Sequence, residues 1–205
     1  MIQEIGLHKV KHGNVMSGID DLMNGEKADI IYSDPPWGAG NLKYWQTLNL
    51  KDNGTPRNDV ELDAFLAQIF SICQKYAKDV VLIEYGVRWE QEIKDMGAKY
   101  GLVHNGIAEL LYRSGSKLLP LHLHIFSKSK LVLPVSYIEN LKGSYGLDTL
   151  RKAIAPFAQQ GKIVLDPCCG MGYTAQIAID NGMVFRGNEL NKKRLSKTIK
   201  RLENA

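Results

Sequence analysis

Apolar positions along the chain fall into two alternating kinds of segment. Short unbroken runs with β-branched centres read as strands buried on both faces: Ala28–Ser33 (ADIIYS), Asp79–Glu84 (DVVLIE) and Lys162–Leu165. Between the first two, Leu62, Phe65, Leu66, Ile69, Phe70 and Cys73 recur at helical spacing, which predicts an amphipathic helix over Val60–Tyr76. A short strand is expected within His8–Val15 and a helix-like turn over Gly18–Asn24. A helix over Trp89–Met96 should end at Gly97. Strands Ile107–Tyr112 and Leu121–Phe126 flank Arg113-Ser-Gly-Ser-Lys117, a good hairpin turn. The C-terminal part predicts helices over Thr149–Gln159 and Tyr173–Asn181, a strand at Met183–Arg186, and a basic helix over Lys192–Leu202. Residues 38–60 are polar and turn-rich and predict a long loop. Parallel strands with helical crossovers, closed by an antiparallel hairpin, make a three-layer, doubly wound α/β sheet.

Composition adds limits. The 205 residues are 44% hydrophobic and 23% charged, the balance of an ordinary folded domain. No apolar run reaches the ~18 residues of a membrane span, and MIQEIGLHKVKHG lacks the apolar stretch of a signal peptide. Three cysteines, two of them adjacent, make no disulfide framework and suggest a reducing, cytoplasmic setting. A net charge of +4 permits an anionic partner without demanding one.

Two motifs carry chemistry. Asp34-Pro35-Pro36-Trp37 directly follows ADIIYS, at the strand end where open α/β sheets bind ligands. Proline pairs also simply end strands, but this placement suits a harder task. The exocyclic amine of a nucleobase is a poor nucleophile because its lone pair is delocalised into the ring. A carboxylate and a backbone carbonyl accepting its two N–H groups would hold the amine and favour sp³ nitrogen. The prolines fix that backbone, and Trp37 offers a face to a base. The second motif, Asp166-Pro-Cys-Cys-Gly170-Met-Gly172-Tyr-Thr174, follows KIVLD and opens a helix, and the next strand ends in Glu189. Glycines there let a backbone approach a ligand, and an acid on the second strand commonly holds ribose hydroxyls. Without a Gly-Lys-Thr of the Walker type, phosphate transfer is disfavoured.

With both motifs assembled, the chain resembles the S-adenosylmethionine-dependent amino-methyltransferases of nucleic acids. That family carries an Asp/Asn/Ser-Pro-Pro-aromatic catalytic motif and an Asp-Pro-Phe-x-Gly-x-Gly-like cofactor motif. The catalytic motif comes first here, as in the circularly permuted β class of DNA N6-adenine enzymes. The resemblance covers nearly the whole chain, and Lys11-His-Gly13-Asn14 is similar to the element near the cofactor adenine. It implies a Rossmann-like sheet of seven strands in the order 3-2-1-4-5-7-6. Asp34, Pro35 and Pro36 would form the amine site, with Trp37 stacking on the base. Asn14, Asp34, Asp166, Cys168, Gly170, Gly172 and Glu189 would surround the cofactor. Cys168 stands where phenylalanine is usual, Met171 for serine, Tyr173 for threonine and Asn14 for aspartate.

The implied substrate is DNA, with RNA adenine or DNA cytosine-N4 as rivals, and a non-catalytic partner subunit as a rival of another kind. Lys43, Tyr44, Trp45 and Arg57 in the expected loop, and Arg113 and Lys117 at the hairpin turn, are the candidate substrate contacts, the loop being read as a lid ordered by substrate. One methyltransferase domain fills the chain, with a catalytic half over 1–127 and a cofactor half over 141–205. Lys128–Asn140 is too short for a target-recognition domain, so specificity must lie in the loop, a homodimer or a second subunit. Several other features are set aside. Pro167-Cys168 resembles the nucleophile of cytosine-C5 enzymes but sits in the cofactor turn. The adjacent cysteines lack zinc spacing. His122 and His124 share a strand face and read as a solvated or hydrogen-bonded pair. The basic helix reads as a solvated face.

Overall fold

The computed structural model describes residues 1–53 and 60–205. In chain order the elements are β1 (Ile2–Ile5), β2 (His8–His12), a 3-10 turn (Val15–Ser17), α1 (Asp20–Met23), β3 (Ala28–Ser33), α2 (Gly38–Asn53), α3 (Leu62–Tyr76) and β4 (Ala77–Tyr85). A second 3-10 turn (Val87–Trp89) leads to α4 (Glu90–Lys99), β5 (Val103–Ser114), β6 (Lys117–Ser127), α5 (Val135–Leu141) and α6 (Leu147–Ile154). The chain closes with β7 (Ile163–Asp166), α7 (Tyr173–Asp180), β8 (Val184–Glu189) and α8 (Lys192–Glu203).

One sheet runs in the order β1-β2-β8-β7-β3-β4-β6-β5. From β2 to β4 the strands are parallel, and β6 reverses against β4 to close the hairpin with β5. The seven strands from β2 to β5 follow the order implied by the family resemblance, and β1 is an eighth, antiparallel edge strand. Its residues Gln3 and Glu4 are polar and exposed, so no apolar pattern announced it.

Side chains alternate across the sheet with period two. Ile30, Tyr32, Val80 and Leu82 face α5–α8, while Ile31, Val81 and Ile83 face α1–α4. Each fully buried aliphatic or aromatic side chain contributes about 1.5–3 kcal/mol of transfer free energy. The seven buried residues of α3, from Phe65 to Tyr76, therefore stabilise it through docking more than through helix propensity.

The expected loop over 38–60 is largely wrong: residues 38–53 form α2. Gly38, Gly40 and Asn41 disfavour helix, and the segment has no apolar stripe. Its support is tertiary: Leu42 is buried, and Asn49 and Asp52 accept hydrogen bonds from Asn191 at the start of α8. Nor does α4 end at Gly97. It runs through to Lys99, and Gly97 is there because a Cβ would lie 2.3 Å from the Phe126 ring. Helix α6 stops at Ile154, two residues before Pro156, rather than continuing to Gln159.

Candidate active site

Strands β3, β7 and β8 are parallel neighbours, so their carboxyl ends bring two distant motifs together. Ser33 ends β3 and Pro35-Pro36, with no N–H to donate, stop the ladder there. Gly170 and Gly172 adopt left-handed φ values of +52° and +79°. At Gly172 a Cβ would sit 2.9 Å from the Cα of Thr198, so its absence lets the turn press against α8. Asp166 ties the turn inward, its Oδ1 accepting from the Cys168 backbone N–H (3.1 Å) and its Oδ2 from the Thr174 hydroxyl (2.6 Å). Glu189 binds the turn to the next helix, accepting from the Gly170 N–H (2.8 Å) and the Asn191 N–H (2.7 Å).

A cavity of about 420 Å³ opens between these ends. Asn14, Asp34, Pro36, Cys168 and Glu189 line it, whereas Asp166, Pro35, Gly170 and Gly172 are not among its lining residues. Apolar surface comes from Val15, Met16, Phe65 and Leu190. Helix α2 lies across the mouth, contributing Leu42, Trp45, Gln46 and Asn49. It is fastened to α8: the Arg194 guanidinium stacks 3.7 Å from the Trp45 ring centroid, and Lys193 pairs with Asp52 at 2.7 Å. Trp45 is thus part of the cavity wall. Lys43 and Tyr44 face outward from α2, and Arg113 and Lys117 are exposed at the hairpin turn. Arg113 stacks on Tyr145 at 5.5 Å. Arg57 lies outside the described residues.

Around the site, carboxylates are held toward their neutral forms. Burial raises Asp34 to about 6, opposed by a hydrogen bond from the Trp37 indole and by the nearby Arg194 charge. Burial raises Asp166 to about 7 and Glu84 to about 8, with repulsion from Asp34 adding to both. Glu189 is also raised by burial, against its two backbone donors. The smallest of the three numbered shifts belongs to Asp34, which opens onto the cavity and keeps contact with water. Glu84 was missed from the sequence as a functional group. It lies on β4 at the level of Asp34, and the Tyr32 hydroxyl donates to it. An acid closing the otherwise apolar run DVVLIE was the available signal.

Other residues take structural parts. Burial, with Glu189 and Asp166 nearby, pushes the Cys168 thiol well above its ordinary range, which removes it as a nucleophile near neutral pH. His122 and His124 are not a solvated pair. His104 joins them, with ring centroids 5.6 and 6.0 Å from His124, and both His124 nitrogens are buried without a partner. Desolvation pulls His124 down to about 3, so it packs as a neutral ring beside Phe126. Among the described residues, no group of His, Cys, Asp and Glu has the arrangement to hold a metal ion, and no helix is long and apolar enough to cross a membrane.

No family model and no curated protein sequence matches the chain. Solved structures do. M1.HpyAVI in complex with SAM is 18% identical over 94% of this chain and 98% of its own, with a TM-score of 0.68. A Thermus thermophilus protein described as a DNA modification methylase, complexed with S-adenosyl-L-methionine, is 14% identical over 95% and 94%, with a TM-score of 0.67. The cytosine-N4-specific PvuII DNA methyltransferase is 10% identical over 95% of this chain and 86% of its own, with a TM-score of 0.66. Across almost its full length, the chain has the α/β fold of these DNA methyltransferases.

Proposed function

We propose that the protein transfers a methyl group from S-adenosylmethionine to the exocyclic N6 amine of adenine in DNA. One observation carries this reading: a single cavity joins Asp34 of the Asp-Pro-Pro-Trp motif to Glu189 and to Pro167-Cys168 at the start of the glycine turn. The wall suits the cofactor's chemistry. It offers carboxylates for a ribose diol and a cationic centre, apolar side chains for an adenine ring, and a buried Asn188 Oδ1 with no partner as an acceptor. Glu189 would hold the ribose through the lone pairs its backbone donors leave free, with Asn14, Leu190 and Cys168 against the remainder.

When bound, the cofactor supplies an electrophilic methyl on a sulfonium. The chain's own residues do the rest. Asp34 in its ionised form and the Pro35 carbonyl accept the two N–H bonds of the target amine, orient its lone pair and take up charge as it loses a proton. The proline pair keeps that carbonyl in place, and Trp37 faces the base. Helix α2 adds Leu42, Trp45, Gln46 and Asn49 to the cavity wall. Arg113 and Lys117, beside the exposed Tyr145, would track phosphates.

The Asp-Pro-Pro-Trp sequence supports adenine over cytosine and also fits RNA adenine, while likeness to the PvuII enzyme keeps cytosine-N4 as the second reading. One methyltransferase domain with only a short Lys128–Asn140 connection favours specificity from the hairpin, a second copy or a separate subunit. The test is nucleoside mass spectrometry after incubation with methyl-labelled cofactor and unmethylated DNA or RNA. Label in N6-methyladenine from DNA is expected. Label in N4-methylcytosine, or only in RNA, would overturn the substrate, and no label in either would overturn the activity.

A further inference from the structure

Trp37 was expected to present a ring face, but its N–H also has a partner. The indole Nε1 donates to Asp34 Oδ1 at 3.0 Å, back across the two prolines. The ring is fixed on several sides. Tyr112 meets it edge-on, with centroids 4.7 Å apart and planes at 77°. The Trp37 backbone N–H donates to Asn41 Oδ1 (3.1 Å), and the next N–H, of Gly38, donates to the Tyr85 hydroxyl (3.0 Å). Gly38 and Gly86 accommodate Trp89 below the motif, since a Cβ on either would lie within 2.6 Å of that ring. A donor held this firmly restrains the carboxylate it touches.

We infer that Trp37 is a positioning residue for Asp34: its indole N–H occupies Oδ1, stops the carboxylate rotating and leaves Oδ2 for the substrate amine. This rests on the methyl-transfer reading. Phenylalanine at this position would offer a base the same face with no donor, and tyrosine would carry its hydroxyl at the wrong edge. The hydrogen bond also favours the ionised carboxylate, whose oxygens only accept and do so more strongly than those of the neutral acid. The surroundings of Asp34 pull in both directions. Burial opposes ionisation, while Arg194 from α8 and Trp37 favour it. The Asp34 charge in turn holds the facing Glu84 from β4, Asp166 and Cys168 from β7 and its turn, and Tyr32 from β3 toward their protonated forms.

The test replaces Trp37 by β-(3-benzothienyl)alanine, which keeps the bicyclic shape and exchanges only the N–H for sulfur, with Trp37→Phe as a second variant. Carboxyl ¹³C NMR on cofactor-free protein, with Asp34→Asn identifying the resonance, reads the Asp34 titration. The midpoint should rise by about one pH unit when the charge-assisted donor is lost. With DNA, kcat should fall about tenfold while the DNA KM stays within about twofold, and the acid limb of the rate profile should move to higher pH. An unmoved midpoint, or a raised KM with kcat unchanged, would reduce Trp37 to a stacking face and overturn the inference. Failure of the unmodified protein to methylate DNA would instead sink the methyl-transfer reading, and the NMR titration would still decide the Trp37–Asp34 link.

Discussion

The two halves of the site hold their acids differently. Where β7 and β8 end, Asp166 accepts from the Cys168 N–H and the Thr174 hydroxyl, and Glu189 accepts from backbone N–H groups that include Gly170 and Asn191. At the end of β3, Asp34 accepts from the Trp37 indole and faces the cavity, and Glu84 accepts from the Tyr32 hydroxyl. Acids held by several donors, backbone N–H groups among them, brace a turn, whereas Asp34 and Glu84 keep more of their lone pairs open. On the proposed function, the turn side of the site serves shape and the Asp34 side serves chemistry, and substitutions should separate them.

The largest effect is expected at Gly172. Alanine there must hold φ at +79° and collide with the backbone of Thr198. Gly172→Ala should cost about 3 kcal/mol of stability and weaken cofactor binding, measured by denaturant unfolding and calorimetry. An intact, fully stable variant would show that the turn does not depend on that close approach.

A second effect comes from acids on both sides of the division. Asp34, Asp166 and Glu84 carry folded-state values of about 6, 7 and 8, above their ordinary carboxylate range. The unfolded chain releases these protons first as pH rises. The stability they confer is therefore complete below about pH 4 and lost progressively up to about pH 8. Melting of the cofactor-free protein should drop by several degrees between about pH 5.5 and 8.5. Glu84→Gln should flatten much of that slope, and a slope unchanged by this substitution would remove Glu84 from the account.

Smaller effects belong to the edges of the cavity. Trp45→Ala removes the Arg194 stack that fastens α2 and should weaken cofactor binding by about tenfold, within the ~2 kcal/mol of a well-shielded cation–π pair. Arg113→Ala should weaken DNA binding by less and reduce the slope of log affinity against log salt by about one, leaving cofactor affinity alone. Loss of cofactor binding in Arg113→Ala would blur the division between the halves.

The same division marks what the sequence disclosed. Asp34, Asp166 and Glu189 were legible because each stands at the carboxyl end of a strand, the first two beside a Pro-Pro or Gly-x-Gly motif and the third one strand further on, and parallel pairing brings such ends together. The sheet order came from the family resemblance that these motifs carry. Glu84 was not, because its significance depends on lying across from Asp34 and beside Tyr32, a relation between strands. Helix α2 was not, because its glycines and polar residues carry no helical stripe and its support comes from Asn191 and Arg194, far along the chain. Local patterns announced the elements, and cross-element contacts set the electrostatics.

The measurement that bears most directly on the joined cavity is Asp34→Ala assayed for two quantities at once, S-adenosylmethionine affinity by calorimetry and methyl transfer to adenine-containing DNA. Retained affinity, within about threefold, with transfer reduced by about a thousandfold or more is the predicted result. Undiminished transfer would contradict the assignment of Asp34 to the amine, and loss of both together would contradict the separation of the catalytic edge from the cofactor turn.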